Sequence, residues 1–100
     1  MRLGRVLVSG PSMAPTLRDG DQLVVVWGAR VRPGDLVVVR RPEPVGLTVK
    51  RVCDHRDGGW WVEGDNPFGS TDSRQYGPVP DSDVLARVLV RYWPVRRRTG

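Results

Sequence analysis

The sequence predicts a mainly β domain, and three observations carry that prediction. One hundred residues hold a single domain with a thin core. Hydrophobic residues at 39% and charged residues at 27% are the balance of a globular chain rather than a disordered one. Twelve glycines and nine prolines interrupt the chain so often that its apolar runs are of strand length and long helices are excluded.

Taken in order, Arg5 to Ser9 reads as a short strand stopped by Gly10-Pro11. Turn chemistry follows at Ala14-Pro15-Thr16 and Arg18-Asp19-Gly20-Asp21, so Ser12 is expected at the mouth of a loop rather than inside a helix. Asp21 to Trp27 is a strand with Leu23, Val25 and Trp27 on one face and Val24 and Val26 on the other, both faces buried. Val31-Arg32-Pro33-Gly34-Asp35 is a tight turn into a second apolar strand, Leu36 to Arg40. In Gly46 to Cys53 the alternation puts Thr48, Lys50 and Val52 on one face, flanking the lysine so as to desolvate its amine. Asp57-Gly58-Gly59 reads as a hairpin turn into Trp60 to Glu63. Gly64 to Pro80 is a long polar loop, of the kind that is either functional or disordered in so small a domain, and Val84 to Trp93 is a closing strand.

Composition narrows the function. The lone Cys53 has no disulfide partner within the chain, and with His55 it supplies at most half of a zinc site, so no metal and no cofactor is expected. No apolar run approaches the roughly 20 residues of a membrane helix, and Met1 to Val8 lacks a signal-peptide core. With Met1 as the true start, the expectation is a cytoplasmic protein with no transmembrane anchor. A net charge of +5 raises nucleic acid or an anionic bilayer as a partner. The cations are scattered among acids, however, and only Arg96, Arg97 and Arg98 form a run, in a tail at 95–100 expected to be solvated. No nucleic acid is therefore expected, and weak membrane association is the most the charge supports.

Fifteen of the sixteen basic residues are arginine, and Lys50 is the single lysine. Arginine is always charged, whereas a buried lysine can lose its proton. A serine hydroxyl needs a base, and lysine with its ordinary pKa is neutral in only ~0.04% of molecules at pH 7, so a lysine base must be desolvated.

Three pieces then occur in order: Ser12-Met13-Ala14-Pro15-Thr16-Leu17, Val49-Lys50-Arg51-Val52, and Gly64-Asp65-Asn66 running on to Ser70-x-Asp72-Ser73-Arg74. Together they resemble the signal peptidase I family of serine proteases, which use a Ser/Lys dyad. The resemblance implies a small, partly open β-barrel of the kind shared with SOS-repressor proteases. It implies Ser12 as nucleophile, with its backbone N–H in the oxyanion hole, and Lys50 as general base. It also implies Ser70 orienting the Lys50 amine, Asp72 paired with Arg74 and with Arg51 to brace the loop, and Met13 and Pro15 lining a cleft for an extended precursor peptide.

The position two residues before the nucleophile, often serine in this family, is Gly10 here, which leaves the second oxyanion donor unassigned. Thirty-seven residues separate Ser12 from Lys50, so a catalytic core without the family's large extra domain or N-terminal anchor is expected. Trp60 to Phe68, Asp72 to Gly77 and Tyr92-Trp93-Pro94 resemble the small members that mature nickel-type superoxide dismutase, which implies that precursor as substrate. A general signal peptidase is the nearest alternative. A Ser12/His55 hydrolase, SOS-type self-cleavage and a nucleic-acid module displaying Trp60 or Trp61 are more distant ones.

Overall fold

The computed structural model describes residues 1–94, and the expected basic tail at 95–100 lies outside the described residues. Six strands, β1 (Arg2–Leu7), β2 (Gln22–Trp27), β3 (Leu36–Arg41), β4 (Gly46–Arg56), β5 (Gly59–Glu63) and β6 (Val84–Trp93), form one antiparallel sheet in the order β1-β2-β6-β3-β4-β5. The fold is therefore mainly β, as the composition predicts. The last strand lies in the middle of the sheet. It joins a β1–β2 hairpin to a β3–β4–β5 meander.

The turns follow local chemistry. Asp57 and Gly58 both take positive φ, the type I′ geometry whose twist suits a two-residue hairpin between β4 and β5. Pro33-Gly34 turns the chain into β3, with Gly34 at φ 95° and a 3.0 Å bond from Asp35 N–H to the Arg32 carbonyl. The first strand runs Arg2–Leu7 rather than Arg5–Ser9, because its ladder with β2 pairs Arg2 with Trp27 and ends at Leu7 opposite Gln22.

Both faces of β3 are covered. Val38 packs with Val8, Met13, Leu17, Leu23, Val25, Val49 and Ala86, while Val37 and Val39 pack on the other side with Val52, Val62 and Val79. Strand β4 carries Val49 into the first cluster and Val52 into the second, and Lys50 pairs across with Val37. The alternation breaks at Cys53, which is left over in the register between Val52↔Val62 and Asp54↔Trp61, a bulge.

The segment from Gly64 to Pro80 is ordered. It contains one helical turn, α1 (Ser73–Tyr76), capped reciprocally by Asp72 and Gln75, and returns to the sheet through a bridge of Val79 with Trp60. The Asp-x-x-Gln spacing of that capping box is visible in the sequence.

Val38 is fully buried on the strand that both clusters share. Val38→Ala is expected to cost about 2 kcal/mol, from two lost methyl groups and the void they leave, measured as a urea midpoint shift at unchanged m value.

Candidate active site

Ser12 sits in the turn that follows β1, as expected for a loop-mouth residue. Bonds from Ala14 N–H to the Pro11 carbonyl (3.0 Å) and from Leu17 N–H to the Met13 carbonyl (2.9 Å) coil the segment, and Met13 and Leu17 anchor it in the core. On the other side, the Asn66 N–H donates to the Ser12 carbonyl at 2.9 Å and the Asn66 amide donates to the Pro11 carbonyl at 3.0 Å. Neither the hydroxyl nor the N–H of Ser12 has a hydrogen-bond partner among the described residues, so both are available to a ligand. The Gly10 N–H is committed to Asp19 Oδ1 at 2.8 Å.

Lys50 is 3% exposed. Burial pushes its amine below the ordinary lysine value. The Asp72 carboxylate opposes that shift and the Arg74 guanidinium adds to it.

Asp72 is itself fully buried. It accepts from the Ser70 hydroxyl (2.6 Å), the Gly64 N–H (2.7 Å), the Arg74 N–H (3.1 Å), and both Nε (3.0 Å) and Nη2 (2.7 Å) of Arg74. Burial alone pushes this carboxyl up; the bonds from Arg74, Ser70 and Gly64 outweigh it and hold Asp72 well below the usual carboxylate range. Gly64 is the point of closest approach: a Cβ there would collide with Ser70 Oγ and with the Ser12 carbonyl, so only glycine lets the two serine segments meet.

Two expected pairings are different in the structure. Arg51 does not reach Asp72; alternation along β4 turns it away from Lys50, and it grips Asp65 through Nε (2.9 Å) and Nη2 (2.8 Å). Thr16 donates to the same carboxylate at 2.6 Å, so Thr16, Asp65 and Arg51 clamp the Ser12 turn to β4. Asp65 and Thr16 both lie in the quoted motifs, but their partnership links positions 49 residues apart and has no local signal. Ser70, expected on the Lys50 amine, instead donates its hydroxyl hydrogen bond to the Asp72 carboxylate.

A groove of about 310 Å³ runs past Ser12, lined by Arg5 to Ser9, Met13, Trp27 and Leu47 to Val49. Consecutive residues of two strands line it, so its walls are strand edges rather than faces. Among the described residues β1 pairs only with β2, and the ladder of β4 with β5 begins at Arg51, leaving Gly46 to Lys50 paired on one side. Met13 lines the groove as part of its fully buried floor, and its sulfur accepts from the Asp65 N–H at 3.4 Å. Pro15 is outside this lining: it is exposed on the outer side of the turn.

His55 stands five residues beyond Lys50 on β4, about 17 Å along an extended strand. It pairs with Asp81 at 3.0 Å and lies edge-on to Trp60. Trp61 is likewise engaged, donating to Glu63 and covered by Arg56. Among the described residues no cluster of three metal-ligating side chains exists.

A small antiparallel β domain with a serine in a groove of open strand edges, and a buried lysine on a strand that walls it, has the outline of a serine peptidase. The sequence matches the Peptidase S24-like family over residues 3–88, and the chain belongs to that family. Its relatives include mitochondrial inner membrane protease subunit 1 of Xenopus tropicalis, 35% identical with 90% of this chain and 69% of the relative covered. The human subunit 1 is 32% identical (92% and 70% covered), and subunit 2 of Saccharomyces cerevisiae is 42% identical (90% and 68%). These names correct the cytoplasmic expectation, which rested on reading Met1 as the true start: the relatives are proteins of the mitochondrial inner membrane. No helix among the described residues is long and apolar enough to cross a membrane.

Opposite stability effects are expected at buried Lys50 and Asp72. Because the folded Lys50 pKa is lowered, the unfolded chain holds the extra proton, and stability rises with pH up to the ordinary lysine value. Lys50→Met should therefore melt higher than the native chain at pH 7, with the gap narrowing toward pH 10; a lower melting temperature at pH 7 would contradict this. Asp72→Asn should lose about 3 kcal/mol at pH 7 in urea melts. Since the folded Asp72 pKa is depressed, that difference should shrink as pH falls below the ordinary aspartate value of about 3.9.

Proposed function

We propose that this chain is a serine endopeptidase in which Ser12 is the nucleophile and Lys50 the general base, and that it removes an N-terminal extension from a precursor protein. The observation that carries the reading is the single lysine of the sequence, buried and with its ammonium disfavoured, on the strand that walls the groove where the Ser12 hydroxyl stands unbonded.

In this mechanism the precursor enters as an extended strand between the open edges of β1 and the Gly46 to Lys50 stretch of β4, with main-chain bonds supplying affinity. Ser12 Oγ attacks the scissile carbonyl as Lys50 accepts its proton. The oxyanion forms at the Ser12 N–H, and the Lys50 ammonium then protonates the departing amine. A water deprotonated by Lys50 attacks the acyl-enzyme, and the proton passes back to Ser12 as the precursor's cut extension leaves. Asp72 and Arg74 position this apparatus from beneath through Ser70 and Gly64. The clamp of Thr16 and Arg51 on Asp65 holds the two catalytic segments in register.

The relatives' names support a membrane-linked protease, and a general signal peptidase stays the alternative. The precursor of nickel-type superoxide dismutase rests on motif resemblance alone. The commitments of Trp60 and Trp61 disfavour a nucleic-acid platform.

Purified protein incubated with a dismutase precursor and with an Ala-x-Ala signal-peptide substrate, read by mass spectrometry, separates these readings. Ser12→Ala, Lys50→Ala and Lys50→Arg should each lower cleavage by about 10³-fold or more, while His55→Ala keeps it. The native rate should rise with pH through a single ionisation below the ordinary lysine value, as Lys50 loses its proton. Full activity in Lys50→Ala would sink the dyad.

A further inference from the structure

Arg87 occupies an unusual place. It lies on β6, the central strand, with register neighbours Val26 and Val37 that are both buried. Arg87 is itself half-buried, and a guanidinium that loses part of its hydration ordinarily finds a carboxylate or a carbonyl to offset the loss. Arg40, Arg51, Arg56 and Arg74 all do so, each with an aspartate. The Arg87 side chain has no hydrogen-bond or ion-pair partner among the described residues.

It lines a concavity of about 430 Å³ with Arg30, Arg32 and Asp35, all three from the β2–β3 connection. The side chains of Arg30 and Arg32 are likewise without a partner among the described residues, and Asp35 is occupied in its own turn, accepting from the Arg32 backbone N–H at 2.9 Å. Three guanidiniums against one carboxylate leave an excess of two positive charges in one concavity. In the sheet register Arg87 pairs with Val26, and Val26 pairs on its other side with exposed Leu3 of β1, two strands away in the same row.

We propose that this concavity is an oxyanion site that takes a phosphate group, gripped by Arg30, Arg32 and Arg87. Guanidinium forks match phosphate oxygens two at a time, and a phosphate supplies the negative charge that Asp35 alone does not. The space exceeds what a bare phosphate fills, leaving room for the group esterified to it. That group is either a phospholipid headgroup, with exposed Leu3 in the same sheet row toward the bilayer, or a soluble phosphate ester. The site is separate from the Ser12 groove, and the proposal stands whether or not the peptidase reading does.

The test has two arms. In the first, native protein, Arg30→Gln/Arg32→Gln, Arg87→Lys and a charge-matched Arg18→Gln/Arg56→Gln control are sedimented with phosphatidylglycerol-containing vesicles and with phosphatidylcholine vesicles at about 0.15 M salt. In the second, inorganic phosphate is titrated while the arginine Nε–H signals are followed by NMR. Arg30 and Arg32 are exposed, and thermal melts check that each variant is folded.

The expected result is preference for the anionic vesicles, weakened about tenfold by the Arg30/Arg32 pair and by no more than about twofold in the control. Arg87→Lys, which keeps the charge but loses the fork, should weaken it as well. Phosphate-dependent shifts at these arginines without vesicle binding would keep the oxyanion site and assign it to a soluble ester. Equal losses in the paired variant and the control, or no response to either ligand, would overturn the proposal.

Discussion

The pairing of buried Asp72 with Arg74 is the constraint on which the rest of the site depends. A fully buried carboxylate is costly unless every lone pair is used, and this one accepts from Gly64, Ser70 and Arg74 together. Those bonds convert the polar stretch after β5 into an ordered brace. They also act on Lys50, whose pKa burial lowers first and foremost. The Asp72 carboxylate favours the nearby ammonium, Arg74 opposes it, and with burial as the largest effect the Lys50 pKa is lowered.

Topology decides what that brace must hold together. Ser12 follows the β1–β2 hairpin's first strand and Lys50 belongs to the β3–β4–β5 meander, and the two units meet only through β6 in the sheet. Local pairing therefore leaves the serine and the lysine on separate pieces. Packing of Met13, Leu17 and Val49 in one core cluster, the Asn66 bond to the Ser12 carbonyl and the grip of Thr16 and Arg51 on Asp65 supply the second link. The bridging contacts are long-range in sequence, so the site forms only with the whole fold.

The groove and the arginine concavity show the same sheet used in two ways. Where strand edges are left unpaired, at β1 and the first half of β4, the backbone groups themselves are open to pairing. Where a strand is paired on both sides, as β6 is, only side chains are left to bind, and Arg87 carries its charge from the sheet centre to the Arg30 and Arg32 turn.

Much was readable from the residues alone, because the signals are local. Strand-length apolar runs, Pro33-Gly34 and Asp57-Gly58 turn chemistry and the alternation around Lys50 each depend on neighbours within a few positions, and the structure places the strands and turns accordingly. The lysine's burial was legible for the same reason: Val52 two residues away reports the face. What the tertiary structure decided are the partners. Which carboxylate Arg51 takes, where the Ser70 proton goes, that Pro15 lies outside the groove, and that β6 inserts at the centre all depend on contacts between segments far apart in the chain. Residue type limits which groups can pair, but the choice among several aspartates within reach of an arginine is made by strand register and by which face of a strand points inward, and these exist only once the sheet has closed around its core.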